Sequence, residues 1–198
     1  MKKIILILLA LVGLSAAANA SDEDIHNELR QAIALVESSI NSGDYEKMLP
    51  VLSNDLRATP ITQEFVHSKE GVVPYFKNWF GDDKFLKRLT ISFTADTETE
   101  LSADRTWGVA YGKGLEKYIL SDGRSYDFPT RWTATVVLED GHWKIRTIHI
   151  GTDFIDNPLI NEAKGAINKA LYGAGGGGLL IGLILGFFLF RRKAKNQD

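Results

Sequence analysis

Along residues 22–41 apolar side chains return at spacings of three and four, as Ile25, Leu29, Ile33, Val36 and Ile40. That is the period of one buried stripe on an α-helix. Asn41, Ser42, Gly43 and Asp44 follow; Gly43 suits the left-handed position that ends a helix, and Asp44 suits the N-cap of the next one. A short second helix is predicted over 45–52, then a brief strand over 56–59 stopped by Pro60. Ser68 reads as the N-cap of a third helical segment reaching Phe80. Pro74 lacks the N–H that an interior helical position donates, so that helix is expected to begin near Val73.

After Lys87 the period changes to two. The runs LTISFTADTETEL, TWGVAYGKGLEKYIL, SYDFPTRWTATVVLE and HWKIRTIHIGTDF alternate apolar with polar, and turn signals at 102–104, 121–123 and 140–141 separate them. Four strands joined by short loops predict an antiparallel meander. Helices first and strands afterwards make the domain α+β. Beyond the last strand Asn157 and Pro158 open another helical pattern, with Leu159, Ile160, Ala163, Ala166, Ile167, Ala170 and Leu171 on one side. It reads as an amphipathic connector, packed on the domain or lying at a lipid surface.

The two ends add a location. MKKIILILLALVGLSAAANA sets two lysines before an apolar run and closes with Ala18, Asn19 and Ala20, the form of a secretory signal peptide over 1–20. From Leu171 to Phe190 there are no charges, and Arg191, Arg192 and Lys193 follow at once. Twenty helical residues at about 1.5 Å each cover a hydrocarbon core of about 30 Å, and the basic cluster places the tail inside. The chain therefore reads as a domain over 21–157, a connector over 158–172, a transmembrane helix over 173–190 and a basic cytoplasmic tail over 191–198. That places it at a bacterial inner membrane, a single-pass protein with its domain in the periplasm. Ala174, Gly178, Gly182 and Gly186 recur every four residues and make a small-residue face on which a second span can pack, so a homodimer is expected. The glycine run, apolar span and basic cluster also resemble the GlyGly-type C-terminal sorting signals of some surface-sorted secreted proteins.

Composition narrows the function. There is no cysteine, so neither disulfides nor thiol chemistry is available. Residues 21–172 carry 17 Lys and Arg against 24 Asp and Glu, which argues against nucleic acid, since phosphate binding needs a clustered positive surface. His26, His67, His142 and His149 are scattered without metal-ligand spacing, and no cofactor is implied.

The stretch TRWTATVVLEDGHWKIRTIHIG carries the candidate site. With Asp140 and Gly141 as a two-residue turn, Glu139 faces His142, Leu138 faces Trp143, and continued pairing sets Trp132 against His149. Alternation then gathers Leu138, Val136, Ala134, Trp132, Trp143, Ile145, Thr147 and His149 on the core face, apolar near the turn and more polar away from it. Trp132 and His149 are expected to line the mouth of a hollow, with Tyr111 on the neighbouring strand as a third candidate. The same pattern also fits a structural tryptophan and a buried imidazole satisfied by a backbone carbonyl.

The order of helices, short strand and long curved sheet, with INSGDYEKMLPVLSND and the closing hairpin above, resembles the nuclear transport factor 2-like superfamily in its SnoaL-like and ketosteroid isomerase-like bacterial members. The resemblance implies a cone-shaped curved antiparallel sheet wrapped on the N-terminal helices, enclosing a pocket. It implies little about activity, because the fold hosts isomerases, cyclases, dehydratases and binding modules. Matched to the steroid isomerase, its helix tyrosine falls at Val36, its general base at Thr59 and its second acid near Ala134, so that proton shuttle is absent. The expected function is therefore a membrane-tethered module binding a small apolar ligand or a protein partner. The alternative is an isomerase, dehydratase or cyclase that uses His149.

Overall fold

The computed structural model describes residues 21–194, with side chains described except at 174–177, 179–180 and 186–194. Helix α1 runs Asp22–Ser42 and is closed at both ends by its own sequence. Ser21 and Asp24 form a reciprocal capping box, and Gly43 takes the left-handed conformation at φ 77°, its N–H returning to the Ile40 carbonyl. Tyr45–Val51 is a 3₁₀ helix rather than an α-helix, and Asp44 makes no side-chain cap to it. Strand β1, Leu52–Thr59, is twice the length expected, and helix α2, Val72–Trp79, begins one residue before the position that Pro74 suggested.

The expected meander is present as β2 (Leu86–Ala95), β4 (Trp107–Leu120), β5 (Ser125–Glu139) and β6 (His142–Thr152). The first run breaks in two, because a separate short strand β3, Glu100–Leu101, pairs with the start of β4. Sheet order is β1-β6-β5-β4-β2. The early strand β1 joins the far edge parallel to β6, while the other neighbours are antiparallel. The sheet is thus mixed and curved around one side.

Helix α1 lies along that concave side and ties its edges. Asn41 behaves like an extra strand residue, its amide donating to the Ile91 carbonyl at 2.9 Å and its carbonyl accepting from the Ile91 N–H at 2.7 Å. Glu37 accepts from the Phe93 N–H and Glu28 from the Trp143 N–H, at 3.0 and 3.1 Å. The middle of the free β2 edge, at Ile91 and Phe93, is thereby paired, which takes up backbone groups that would otherwise template association.

Packing is uneven along the cone. A chain of rings, Tyr45 on Phe76 at 4.4 Å, then Phe80, Tyr118 and Phe128 at spacings near 6 Å, fills the end remote from the β5–β6 turn. Each such pair adds about 0.5–1.5 kcal/mol beyond its buried area. Nearer the turn the lining is small, with Ala32, Ala95, Ala110 and Ala134, and Leu138 stands 45 % exposed. Trp143, Val136 and Ile145 are nonetheless buried by the turn, and a hollow lies between α1 and the stretch of β5 that carries Trp132, Ala134 and Val136.

Residues 158–194 form one helix, α3 (Pro158–Ala194), so connector and span are continuous in backbone. Asn157 caps it by accepting from the Ile160 N–H, and Glu162 is held by Arg124 and Tyr126 of the sheet. Among the described residues no helix is long and apolar enough to cross a membrane, and much of the expected transmembrane helix over 173–190 lies outside the residues whose side chains are described. Gly178 and Gly182 of the small-residue face have open surroundings, while the side-chain positions of Ala174 and Gly186 fall outside the described residues. The signal peptide over 1–20 and the last residues of the tail, 195–198, also lie outside them.

Candidate functional site

The β5–β6 hairpin begins as its sequence dictates. Asp140 and Gly141 both take positive φ, 55° and 79°, the geometry of a type I′ turn, and Glu139 pairs with His142 and Leu138 with Trp143. The register then slips. Val136 pairs with Ile145 but Thr135 pairs with Thr147, so Arg146 is a bulged residue without a partner on β5. Its guanidinium turns to the Asp55 carbonyl on β1.

One extra residue reverses every side chain beyond it. Ile148 and Ile150 take the inner face, opposite Ala134 and Trp132, and Thr147 and His149 take the outer one. His149 is exposed and pairs with Thr133 on β5 and Thr59 on β1. Tyr111 also pairs with Thr133, so it shares that outer row; its hydroxyl donates to Glu100 at 2.9 Å. The expected pairing of Trp132 with His149 is therefore corrected: the two rings stand on opposite sides of the sheet.

Trp132 itself is inside, 4 % exposed. Its indole N–H donates to the Lys113 carbonyl at 3.0 Å, and Phe93 meets the ring edge-on. Gly112 makes room for it, since a Cβ there would come within 2.6 Å of the indole and 2.1 Å of the Thr94 carbonyl oxygen. The indole forms one wall of a cavity of about 220 Å³ between α1 and the sheet, lined also by Val36, Phe93, Ala134, Ile145 and Ile148. At its rim His26 Nε2 lies 3.6 Å from Glu98 Oε2, and Arg30 lies 3.6 Å from Glu98 Oε1. Arg30 and Glu98 are more than half exposed, so this pair contributes little to stability.

A second, smaller cavity of about 90 Å³ lies deeper, sharing Val36, Phe93, Ile145 and Ile148 with the first. Here the sheet points an acid inward. Glu116 on β4 is 3 % exposed, and its Oε2 accepts from the Tyr118 hydroxyl at 2.5 Å. Burial raises the Glu116 carboxyl above its ordinary range, with the Tyr118 hydrogen bond opposing. Burial, then the Glu116 charge, drives Tyr118 far upward. Burial also pushes Tyr75 up to about 12, opposed by its 3.0 Å hydrogen bond with Thr62.

The alternation that defines β4 contained this acid. Gly112, Gly114, Glu116, Tyr118 and Leu120 fall on one face, so Glu116 is inside and Leu115 is outside, 47 % exposed. A charge on the inner phase and a leucine on the outer one was the available signal. Among the described residues no group of three or more His, Asp or Glu is arranged to hold a metal ion.

No family model matches the chain, and no curated protein sequence matches it. Solved structures do. A hexachlorocyclohexane dehydrochlorinase superposes with a TM-score of 0.56 at 12% identity, covering 65% of this chain and 84% of that one. A nuclear transport factor 2-like superfamily protein from Salmonella enterica serovar Typhimurium gives 0.53 at 14% identity, over 66% and 92%. A ketosteroid isomerase-like protein from Erwinia carotovora gives 0.51 at 9% identity, over 62% and 92%. At these identities the likeness establishes the fold: an α+β domain of the nuclear transport factor 2-like kind.

Proposed function

We propose that the domain is a binding module that holds a small, mainly apolar molecule between α1 and the concave face of the sheet. The observation that carries this reading is the cavity of about 220 Å³ walled by Trp132. A dry cavity of about 150 Å³ already admits benzene, so this one has room for a ring. Titrating the purified chain with benzene, followed by NMR shifts of the Trp132 indole, tests it. Saturable shifts support the reading, and their absence at millimolar benzene overturns it. Native mass spectrometry of protein taken from its own host then identifies the natural occupant.

Two further parts of the proposal have their own support. Pairing of two copies is supported by the outer sheet face, where Trp107 and Leu115 stand 48 and 47 % exposed, and sedimentation of the purified chain checks it. Tethering to a membrane from the extracytoplasmic side is supported by the sequence alone, through the N-terminal signal pattern and the uncharged run ahead of Arg191. Recovery of the intact chain in the soluble fraction would contradict it.

An enzyme of the same fold, an isomerase, dehydratase or cyclase, is the second reading. What favours it is the buried Glu116 beside Tyr118, a carboxyl of raised pKa facing a cavity. His149, on the outer face, does not reach that interior.

A further inference from the structure

Helix α3 meets the domain with its small side chains first. Ala163 and Ala166, with Leu159, face the end of the sheet, while Ile160 and Ile167 stand exposed. A helix that packs for its own stability turns its largest apolar residues inward. Here two alanines are inward and two isoleucines outward, and the helix is held by Arg124 and Tyr126 on Glu162. A groove of about 680 Å³ is left between α3 and Phe85, Leu86, Leu120 and Phe128. It shares no lining residue with the Trp132 cavity and only Tyr118 with the deeper one.

Hydrogen bonding narrows what this groove can hold. Arg124, Tyr126 and Glu162 are bonded to one another, and Arg124 also donates to Asp122. Asn157 gives its amide to the Asp153 and Phe154 carbonyls and accepts from the Ile160 N–H. Thr62 shares a hydrogen bond with Tyr75, Thr152 donates to the Pro129 carbonyl, and Tyr118 donates to Glu116. Every polar side chain of the lining is therefore already engaged. A peptide segment brings backbone N–H and C=O groups that need partners once covered, and a polar small molecule makes the same demand. A hydrocarbon chain makes none. A sixteen-carbon chain at roughly 30 Å³ per carbon takes about 480 Å³, within the 680 Å³ present.

A source of such chains adjoins the groove. The uncharged run begins at Leu171, five residues past Ala166 on the same helix, a rise of about 7.5 Å. We infer that the groove takes up an acyl chain of a lipid from the membrane at that run, held between α3 and the end of the sheet. This rests on the tethered reading of the chain and is independent of the Trp132 cavity.

The test places the full chain in phosphatidylcholine vesicles whose lipids carry a diazirine near the end of one acyl chain. After irradiation, adducts are located by mass spectrometry of the peptides. They are expected at two places, on residues 171–190 and around Phe85, Phe128 and Leu159. Ala163→Trp and Ala166→Trp each fill the groove, and each should lower the groove adducts by about tenfold or more while leaving those on 171–190 unchanged. Ile167→Trp, on the exposed side of the same helix, should change neither set. Calorimetric unfolding of each variant verifies that the domain is folded, and either groove variant suffices. Adducts confined to 171–190 overturn the groove and leave the tether standing. Groove adducts that survive both filling substitutions, or that are lost equally in Ile167→Trp, overturn it as well. Adducts at neither place refute the tether, and the proposed lipid source falls with it.

Discussion

Filling the larger cavity with protein decides whether it is a true hollow. Ala134 sits at the centre of the concave face, 6 % exposed, between Ala110 on β4 and Ile148 on β6, and its methyl faces the cavity. Ala134→Leu adds three carbons. If each needs roughly the 30 Å³ of a water molecule, about 90 Å³ is consumed, well below the 220 Å³ present. Each buried methylene contributes about 0.8 kcal/mol, hence about 2.4 kcal/mol in all. Ordering the leucine costs about 0.5–1 kcal/mol. The net expectation is a stabilisation of about 1.5–2 kcal/mol, which for a chain of this size raises Tm by roughly 3–8 °C. In a filled core the same substitution would destabilise by about 1–3 kcal/mol through overpacking. The direction of the change therefore distinguishes a hollow from a filled core. Calorimetric unfolding of both proteins, with benzene titration alongside, should show a higher Tm and lost benzene binding in the variant. A lower Tm with benzene binding unchanged would refute the existence of free volume beside Ala134.

Three other outcomes are expected. Gly112→Ala drives a Cβ to 2.1 Å from the Thr94 carbonyl and 2.6 Å from the Trp132 ring, and should cost about 3 kcal/mol or more in urea unfolding; a change below about 1 kcal/mol would mean that the strands separate freely. Glu116→Gln should remove a pH dependence. Burial raises the folded-state pKa, so the associated stability is full below the ordinary glutamate value of about 4.3 and is lost as pH rises through the raised value. The unmodified chain should accordingly weaken relative to the variant as pH rises over that window, and parallel stability curves would contradict the assignment. His149→Ala, at an exposed outer position, should change unfolding stability by less than about 0.5 kcal/mol and leave benzene binding unaltered; loss of binding would return the imidazole to the site.

Period and turn chemistry carry much of the fold. The α1 stripe, its end at Gly43, the four long strands and the pairing of Glu139 with His142 all follow from local spacing. What escapes such a reading is set by contacts distant in sequence. The parallel docking of β1 on β6 joins residues about ninety positions apart, and nothing in LSNDLRAT announces its partner. The bulge at Arg146 likewise has no local signature, since RTIHI alternates as cleanly as any uninterrupted strand and the guanidinium finds its acceptor on β1. Trp132 is inside, as its sequence position predicts, because the slip adds its extra residue to β6 and leaves the alternation of β5 intact. Glu116 lies on the inner phase of β4, but an acid among lysines reads as surface until the neighbouring tyrosine and leucine are counted on the same face.

The supernumerary arginine of β6 makes one codon of this chain dispensable in a way its neighbours are not. Removing residue 146 takes away the one position that β5 does not match, so the shortened strand would run evenly and still present Ile148 and Ile150 to the hollow. Removing a residue from the middle of β5 instead would invert everything on one side of the cut, turning either Trp132 and Ala134 or the hairpin end outward. Tolerance of deletions in this scaffold is therefore decided strand by strand, and the greasy character of its interior is guarded by counting as much as by composition.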